Sequence, residues 1–223
     1  RHVHEAFKLG EVHNGIKVGR FINAQPIPRS KLGLKEQDFV VMYSGRLTKE
    51  KGVMELIQAI KTLHDIPQLK LVIIGASFYG KDVEKNPFVS SLEREAQAIR
   101  EQVVFTGYID YSEMPSYLKI ADVAVVPSVW DEPFGLTVAE AMAAGRPLIA
   151  TRGGGIPEIC EGASILVERE NLVQHLSDSI RYLYQYPDKA KAMGKEAEKK
   201  SWEFDKGTFT EKFFKAIHTI EEQ

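Results

Sequence analysis

The stretch "FVVMYSGRLTKEKGVMELIQAIKTL", residues 39–63, changes pattern twice. "FVVMYSG" (39–45) is a β-rich run that reads as a strand. It is apolar at successive positions rather than alternate ones, which predicts cover on both faces and hence a parallel sheet flanked by helices. "SGRLTKEKGV" (44–53) follows as a glycine- and charge-rich loop. Met54, Ile57, Ile60 and Leu63 then recur at helical spacing on one face.

The same alternation continues outward. "LKLVIIG" (69–75), "VVFTG" (103–107), "DVAVVPS" (122–128), "PLIAT" (147–151) and "SILV" (164–167) read as further strands. Between them, "SSLEREAQAIR" (90–100), "EMPSYLKIA" (113–121) and "LTVAEAMAAG" (136–145) read as helices, with Ser90 or Ser91 as the N-cap of the first and Gly145 ending the last. Residues 171–186, about 188–200 and 208–221 read as closing helices, and the Lys-rich "DKAKAMGKEAEKK" (188–200) as a solvated face. Upstream, "GIKVGRFI" (15–22) is expected to add an edge strand and "NAQPIPRS" (23–30) to be a connector. The expectation is a linker or edge segment over 1–30 and one α/β domain over 31–223, a doubly wound parallel sheet of about six strands flanked by helices. Ligands in such sheets bind at the carboxyl ends of the strands, so the loops to inspect begin at Ser44, Gly75, Gly107, Ser128 and Thr151.

Bulk properties narrow the function. At 223 residues and 43% hydrophobic, the chain can bury a core without disulfides or metals. Lys plus Arg (29) nearly balances Asp plus Glu (31), which argues against a nucleic-acid binder. The lone cysteine, Cys160, fits a reducing compartment, and the expected location is cytoplasmic.

"GASFYGKD" (75–82) imitates the phosphate loop of nucleoside triphosphatases. That loop needs Ser or Thr after Gly-Lys to hold magnesium, and a helix starting there. Here Asp82 takes the hydroxyl's place and would set a carboxylate against phosphate, while Pro87 follows too soon for a strong helix after Lys81. Lys81 is expected to face solvent, and Gly75 to border a ligand only by ending its strand. A dinucleotide site is poorer still, because "GGGIPE" (153–158) lacks the third glycine of that fingerprint.

Two other loops carry more chemistry. In 44–53, Arg46 and Lys51 are flanked by Gly45 and Gly52 and lead into a helix. A guanidinium fork and an ammonium point charge at a helix N-terminus suit a diphosphate, although a solvated charged turn would read the same way. In "SVWDEPFGLTVAEAMAAG" (128–145), Glu132 lies in a loop and Glu140 near the start of a helix, with Phe134, Gly135, Leu136 and Thr137 between them. On one continuous helix two such residues would stand ~12 Å apart along the axis. Straddling loop and helix, both can face one extended ligand, with amides suited to phosphate between them.

These segments together resemble a known family. "EPFGLTVAE" matches the Glu-seven-residues-Glu motif of retaining glycosyltransferases of the GT-B fold, family 4. "SGRLTKEKG", "FTGYI", "ADVAVVPS" and "GGGIPEI" fall in that family's order, over about residues 36–215. The resemblance implies that Arg46 and Lys51 hold the donor diphosphate and that Glu140 binds the ribose hydroxyls. It implies that Glu132 contacts the transferred sugar, with Glu132, Arg46 and Lys51 as the catalytic set. Phe134, Gly135, Leu136 and Thr137 would hold sugar and phosphate through their backbone. Gly45, Gly75, Tyr108 and Ile109 would lie along the nucleotide, and Glu158 would fix its loop. No metal and no cofactor are implied, consistent with scattered His residues and no Asp-x-Asp.

The resemblance further implies a Rossmann-like, donor-binding C-terminal half of a two-domain enzyme, whose N-terminal acceptor domain is a missing partner. The expected partners are a nucleoside-diphosphate sugar, UDP-linked hexose first, and that N-terminal domain; nucleic acid is not among them. Surface polysaccharide or glycolipid synthesis is the expected setting, which leaves room for peripheral contact at the membrane's cytoplasmic face. This chain alone is expected to bind donor but transfer nothing. The alternatives are a sugar phosphorylase on the same scaffold and a non-catalytic nucleotide-binding module.

Overall fold

The structure is a computed structural model and describes residues 14–76 and 86–221. The six apolar runs are strands: β1 (Phe39–Ser44), β2 (Leu69–Ile74), β3 (Val103–Gly107), β4 (Val123–Val126), β5 (Leu148–Thr151) and β6 (Ile165–Val167). They form one sheet in the order β3-β2-β1-β4-β5-β6, and every neighbouring pair is parallel. The helices are α1 (Val18–Ile22), α2 (Val53–Thr62), α3 (Pro87–Ala96), α4 (Met114–Leu118), α5 (Leu136–Ala143), α6 (Ile156–Cys160), α7 (Leu172–Gln185), α8 (Pro187–Ser201) and α9 (Lys206–Glu221).

Alternate strand residues enter different cores, which explains the unbroken apolar runs. Val40 and Met42 of β1 join Val72, Ala124 and Leu148 beneath α1, α4 and α5, where Phe21, Leu118 and Met142 are buried. Val41 and Tyr43 join Leu71, Val123 and Ile149 beneath α2 and α7, where Ile57, Ile60, Leu176 and Ile180 are buried. Both faces of the sheet are therefore dry. α8 turns Ala190, Gly194, Ala197 and Ser201 inward and leaves its lysines at the surface or partly exposed.

Several boundaries differ from the expectations. The segment 15–22 is not an edge strand. Lys17 precedes the short helix α1, whose Val18 and Phe21, three residues apart, are fully buried. Only Ile16 pairs as strand does, in a parallel bridge to Asp205. Ile16 N–H donates to the Phe204 carbonyl (2.9 Å), Lys206 N–H to the Ile16 carbonyl (2.8 Å), and Val18 N–H to Asp205 Oδ2 (3.1 Å). α3 starts before Ser90: Pro87 takes the first helical position, and Asn86 caps it by accepting from Phe88 N–H at 2.8 Å. Proline suits that position because its missing N–H would have no helical partner there. On α2, Met54 is only half-buried, while Val53, Leu56 and Ala59 join Ile57 and Ile60 inside.

β1 pairs with β2 on one side and β4 on the other, so the chain reverses its lateral direction at β1. The loops leaving the carboxyl ends of β1 and β4 diverge there and open a crevice. They are the loops that hold Arg46, Lys51 and Glu132.

Candidate functional site

Two adjoining cavities occupy that crevice. One, of about 170 Å³, is lined by residues including Ile74, Gly75, Tyr108, Ile109, Tyr111 and Glu140. The other, of about 340 Å³, is lined by Lys51, Ser128, Glu132, Phe134, Gly135 and Leu136 among others. Ser44, Gly45, Arg46 and Thr137 line both. The twelve residues expected from the sequence are thus brought together in one divided groove, with Glu132 in one compartment and Glu140 in the other.

The loop after β1 is shaped by its neighbours. The buried Tyr43 hydroxyl donates to the Arg46 carbonyl at 2.6 Å, and burial pushes its pKa far up, so it remains a neutral donor. The Arg46 side chain is exposed at the groove. Gly45 N–H donates to Ile74 O (3.0 Å) and Gly75 N–H to Gly107 O (2.9 Å), so the loops after β1, β2 and β3 are joined backbone to backbone. A Cβ on Gly75, where φ is 150°, would stand 1.8 Å from the Gly45 carbonyl oxygen. Close approach is by itself enough to require glycine there. Lys81 and Asp82 lie outside the described residues.

Lys51 and Glu132 form an ion pair across the larger compartment. Both side chains are largely buried, at 18% and 9% exposure. Ser128 Oγ adds a donor to the same Glu132 oxygen at 2.7 Å, and the Lys51 ammonium lies 5.4 Å from the centre of the Trp130 ring. Burial pushes the Glu132 carboxyl up, but Lys51 and Ser128 outweigh it and hold the group below the ordinary carboxylate value. Lys51 is therefore committed to Glu132 rather than free for a diphosphate alone, a refinement of the paired-clamp expectation.

Gly135, at φ 97°, forms the N-cap of α5, and Thr137 is the second residue of that helix. Phe134 is buried edge-on against Phe204, with ring centres 5.8 Å apart. Leu136 is 46% exposed at the groove. Glu140 is the fifth residue of α5, deeper than the first turn, and is buried. Its pKa is pushed up to about 7: burial raises it, while the Tyr111 hydroxyl and the Arg20 guanidinium pull it partly back. Tyr108 is exposed beside this compartment and Ile109 packs partly into the core.

The triple glycine packs beneath the Glu132 loop. Gly155 N–H donates to the Glu132 carbonyl at 2.7 Å, and a Cβ on Gly154 would fall 2.2 Å from that oxygen. Glu158 is exposed on α6 rather than in the loop it was expected to fix. Arg169, which sequence reasoning missed, also holds the Glu132 loop. Its Nη2 donates to Trp130 O and to Asp131 Oδ1, both at 2.6 Å, and Asp131 accepts from Gly154 N–H at 3.2 Å. Tyr43, Tyr111, Arg20 and Ser128 were missed as well. Only Ser128, four residues before Glu132 at a strand end, offered a local signal.

Comparison with known proteins identifies the family of the chain. The family model described as "Glycosyl transferases group 1" matches residues 25–200. The chain is 33% identical over 137 residues to the lipopolysaccharide 1,2-N-acetylglucosaminetransferase of Salmonella typhimurium, covering 61% of this chain and 36% of that protein. It is 32% identical over 192 residues to the GDP-mannose-dependent monoacylated alpha-(1-6)-phosphatidylinositol monomannoside mannosyltransferase of Corynebacterium glutamicum, covering 81% and 48%. The chain thus spans less than half the length of these two relatives. Among solved structures, the C-terminal domain of a glycosyl transferase group 1 family protein (LpcC) from Francisella tularensis superposes with a TM-score of 0.70 at 28% identity, covering 83% of this chain and 96% of that one.

Proposed function

Because the chain belongs to the glycosyl transferases group 1 family, we propose that it is the donor-binding domain of a retaining glycosyltransferase. In this reading residues 31–223 bind a nucleoside-diphosphate sugar, residues 1–30 are a connecting segment, and a separate N-terminal domain of the same protein binds most of the acceptor. The observation that carries it is the divided groove, with Glu140 in one compartment, Glu132 and Lys51 in the other, and Arg46 and Thr137 on the boundary.

The nucleoside occupies the compartment of Gly75, Tyr108, Ile109 and Glu140, with the ribose hydroxyls on Glu140. The diphosphate crosses the boundary at Arg46 and the N-terminal amides of α5, where cation and helix dipole favour an anion. The sugar lies against Glu132 and the backbone of Phe134–Thr137. Lys51 fixes Glu132 and adds positive charge to the departing diphosphate. Charge stabilisation of that leaving group is the main catalytic effect, with no metal required. The acceptor attacks from the face the phosphate leaves, so Glu132 serves as a sugar ligand rather than a nucleophile. UDP is the first-choice nucleotide, a hexose the sugar, and a glycolipid or surface polysaccharide the acceptor class. The glycolipid chemistry in the names of the two relatives supports that acceptor class. The site faces the cytoplasm in this reading, with any membrane contact peripheral; no helix among the described residues is long and apolar enough to cross a membrane.

Calorimetry of the chain with UDP, GDP, ADP and ATP, with and without chelator, tests the reading. A chelator-insensitive preference for a diphosphonucleoside supports it. Magnesium-dependent ATP binding would replace it with phosphotransfer chemistry. Glycosyl transfer by this chain alone would remove the division of labour between two domains.

A further inference from the structure

The smaller compartment contains a relay that the family reading leaves unused. Arg20 of α1 donates to the Tyr111 carbonyl at 3.1 Å, and its guanidinium lies 5.1 Å from the centre of the Tyr111 ring. Phe21, fully buried, meets the same ring edge-on at 6.4 Å. Backbone, ring face and ring edge of Tyr111 are therefore all held by α1. Tyr111 and Glu140 line the same cavity, and the phenol holds the Glu140 pKa below where burial alone would put it. Glu140 is 7% exposed and lines the cavity beside Tyr111.

We propose that Tyr111, clamped by Arg20 and Phe21, is a positioning residue that sets the Glu140 carboxylate for the ribose hydroxyls of the nucleotide. The inference rests on the assignment of Glu140 to ribose made above. A carboxylate has about four lone-pair positions, so one phenol donor leaves room for two ribose hydroxyls. A carboxylate buried without a fixed donor would take up a proton, and a protonated group accepts less well. The phenol and the guanidinium oppose that uptake, and α1 supplies one group and grips the other. Among the described residues, the titratable and charged groups around Glu140 are Tyr111, Arg20 and, on the same cavity, Arg46 and Tyr108. Since Glu140 titrates near pH 7, the preference for ribose over deoxyribose should grow as pH rises through that value.

The test is the affinity ratio of UDP to 2′-deoxy-UDP, and of GDP to 2′-deoxy-GDP, for the whole chain between pH 6 and pH 8.5. Whichever base binds tighter should show a ratio that rises with pH, by about tenfold for a hydrogen bond to a charged group. Tyr111→Phe should shift the midpoint of that rise to higher pH and lower the ratio at pH 7 severalfold. Arg20→Gln should act in the same direction, which keeps the idea testable should Tyr111→Phe fold poorly. Glu140→Gln should flatten the pH dependence. Tyr111→Phe and Arg20→Gln with the parent's midpoint and ratio would overturn the proposal, as would equal weakening of ribo and deoxy nucleotides. A Glu140→Gln variant that keeps the parent's pH dependence would instead overturn the ribose assignment beneath it.

Discussion

Arg46 and Lys51 carry the same charge on the same loop, yet different surroundings give them different vulnerabilities. The exposed Arg46 side chain leans on little, so Arg46→Ala should weaken UDP or GDP binding by roughly 1–3 kcal/mol and leave the melting temperature nearly unchanged. Lys51→Ala should weaken binding similarly and also destabilise the fold, by on the order of 3 kcal/mol, because it leaves Glu132 buried without its cation. Adding Glu132→Gln to Lys51→Ala should restore much of the stability but none of the affinity. Calorimetry beside thermal melts separates the two effects, and equal melts for both single variants would refute the pairing. Arg46, Lys51, Glu132 and Glu140 were legible in sequence because each sits in a short motif, the first three in loops that follow strands and Glu140 on the helix that follows such a loop. Tyr111, Arg20 and Arg169 were not. Tyr111 and Glu140, Arg20 and Tyr111, and Arg169 and Asp131 are remote in sequence, and only the strand order makes them neighbours.

Among the elements, the strands were the most readable part, since two-sided burial removes the polar alternation that would confuse a strand with a surface helix. α1 misled for the opposite reason: "GIKVGRFI" offers Ile, Val, Phe and Ile in a pattern that a strand could use, but it packs as one helical turn against α5 and α4. The start of α3 depended on Asn86 and Pro87, a cap and first-turn pair that outcompetes Ser90. Loop geometry was less legible than either. Gly75→Ala should destabilise by roughly 2 kcal/mol or more, since its Cβ would meet the backbone of Gly45 rather than a movable side chain. A melting temperature unchanged from the parent would mean that the loops after β1 and β2 are not in close contact. Arg169→Ala should free the Trp130–Asp131 turn and lower affinity for the sugar nucleotide more than for the bare diphosphonucleoside, which calorimetry with both ligands would measure.

At the scale of the molecule, Glu140 ties the stability of the domain to pH. Its folded pKa of about 7 stands above the ordinary 4.5, so between those values the folded state holds more protons than the unfolded one. Stability from this group is therefore greatest below pH 4.5 and declines as pH rises to about 7. Glu140→Gln should lack that decline, and the difference between the two melting curves should grow across the window and then level off. A constant difference would mean that the carboxyl ionises normally. The same comparison isolates Glu140 from carboxylates such as Glu132, whose depressed pKa works in the opposite sense at lower pH. The bridge between Ile16 and Asp205 has a mechanical consequence. It fastens residues 16–18 to the segment leaving α8, so tension drawn between residue 14 and α9 falls on two backbone hydrogen bonds and on the Val18–Asp205 bond beside them. The bridge would bear that tension before the sheet did, like a buckle that yields while the cloth stays whole.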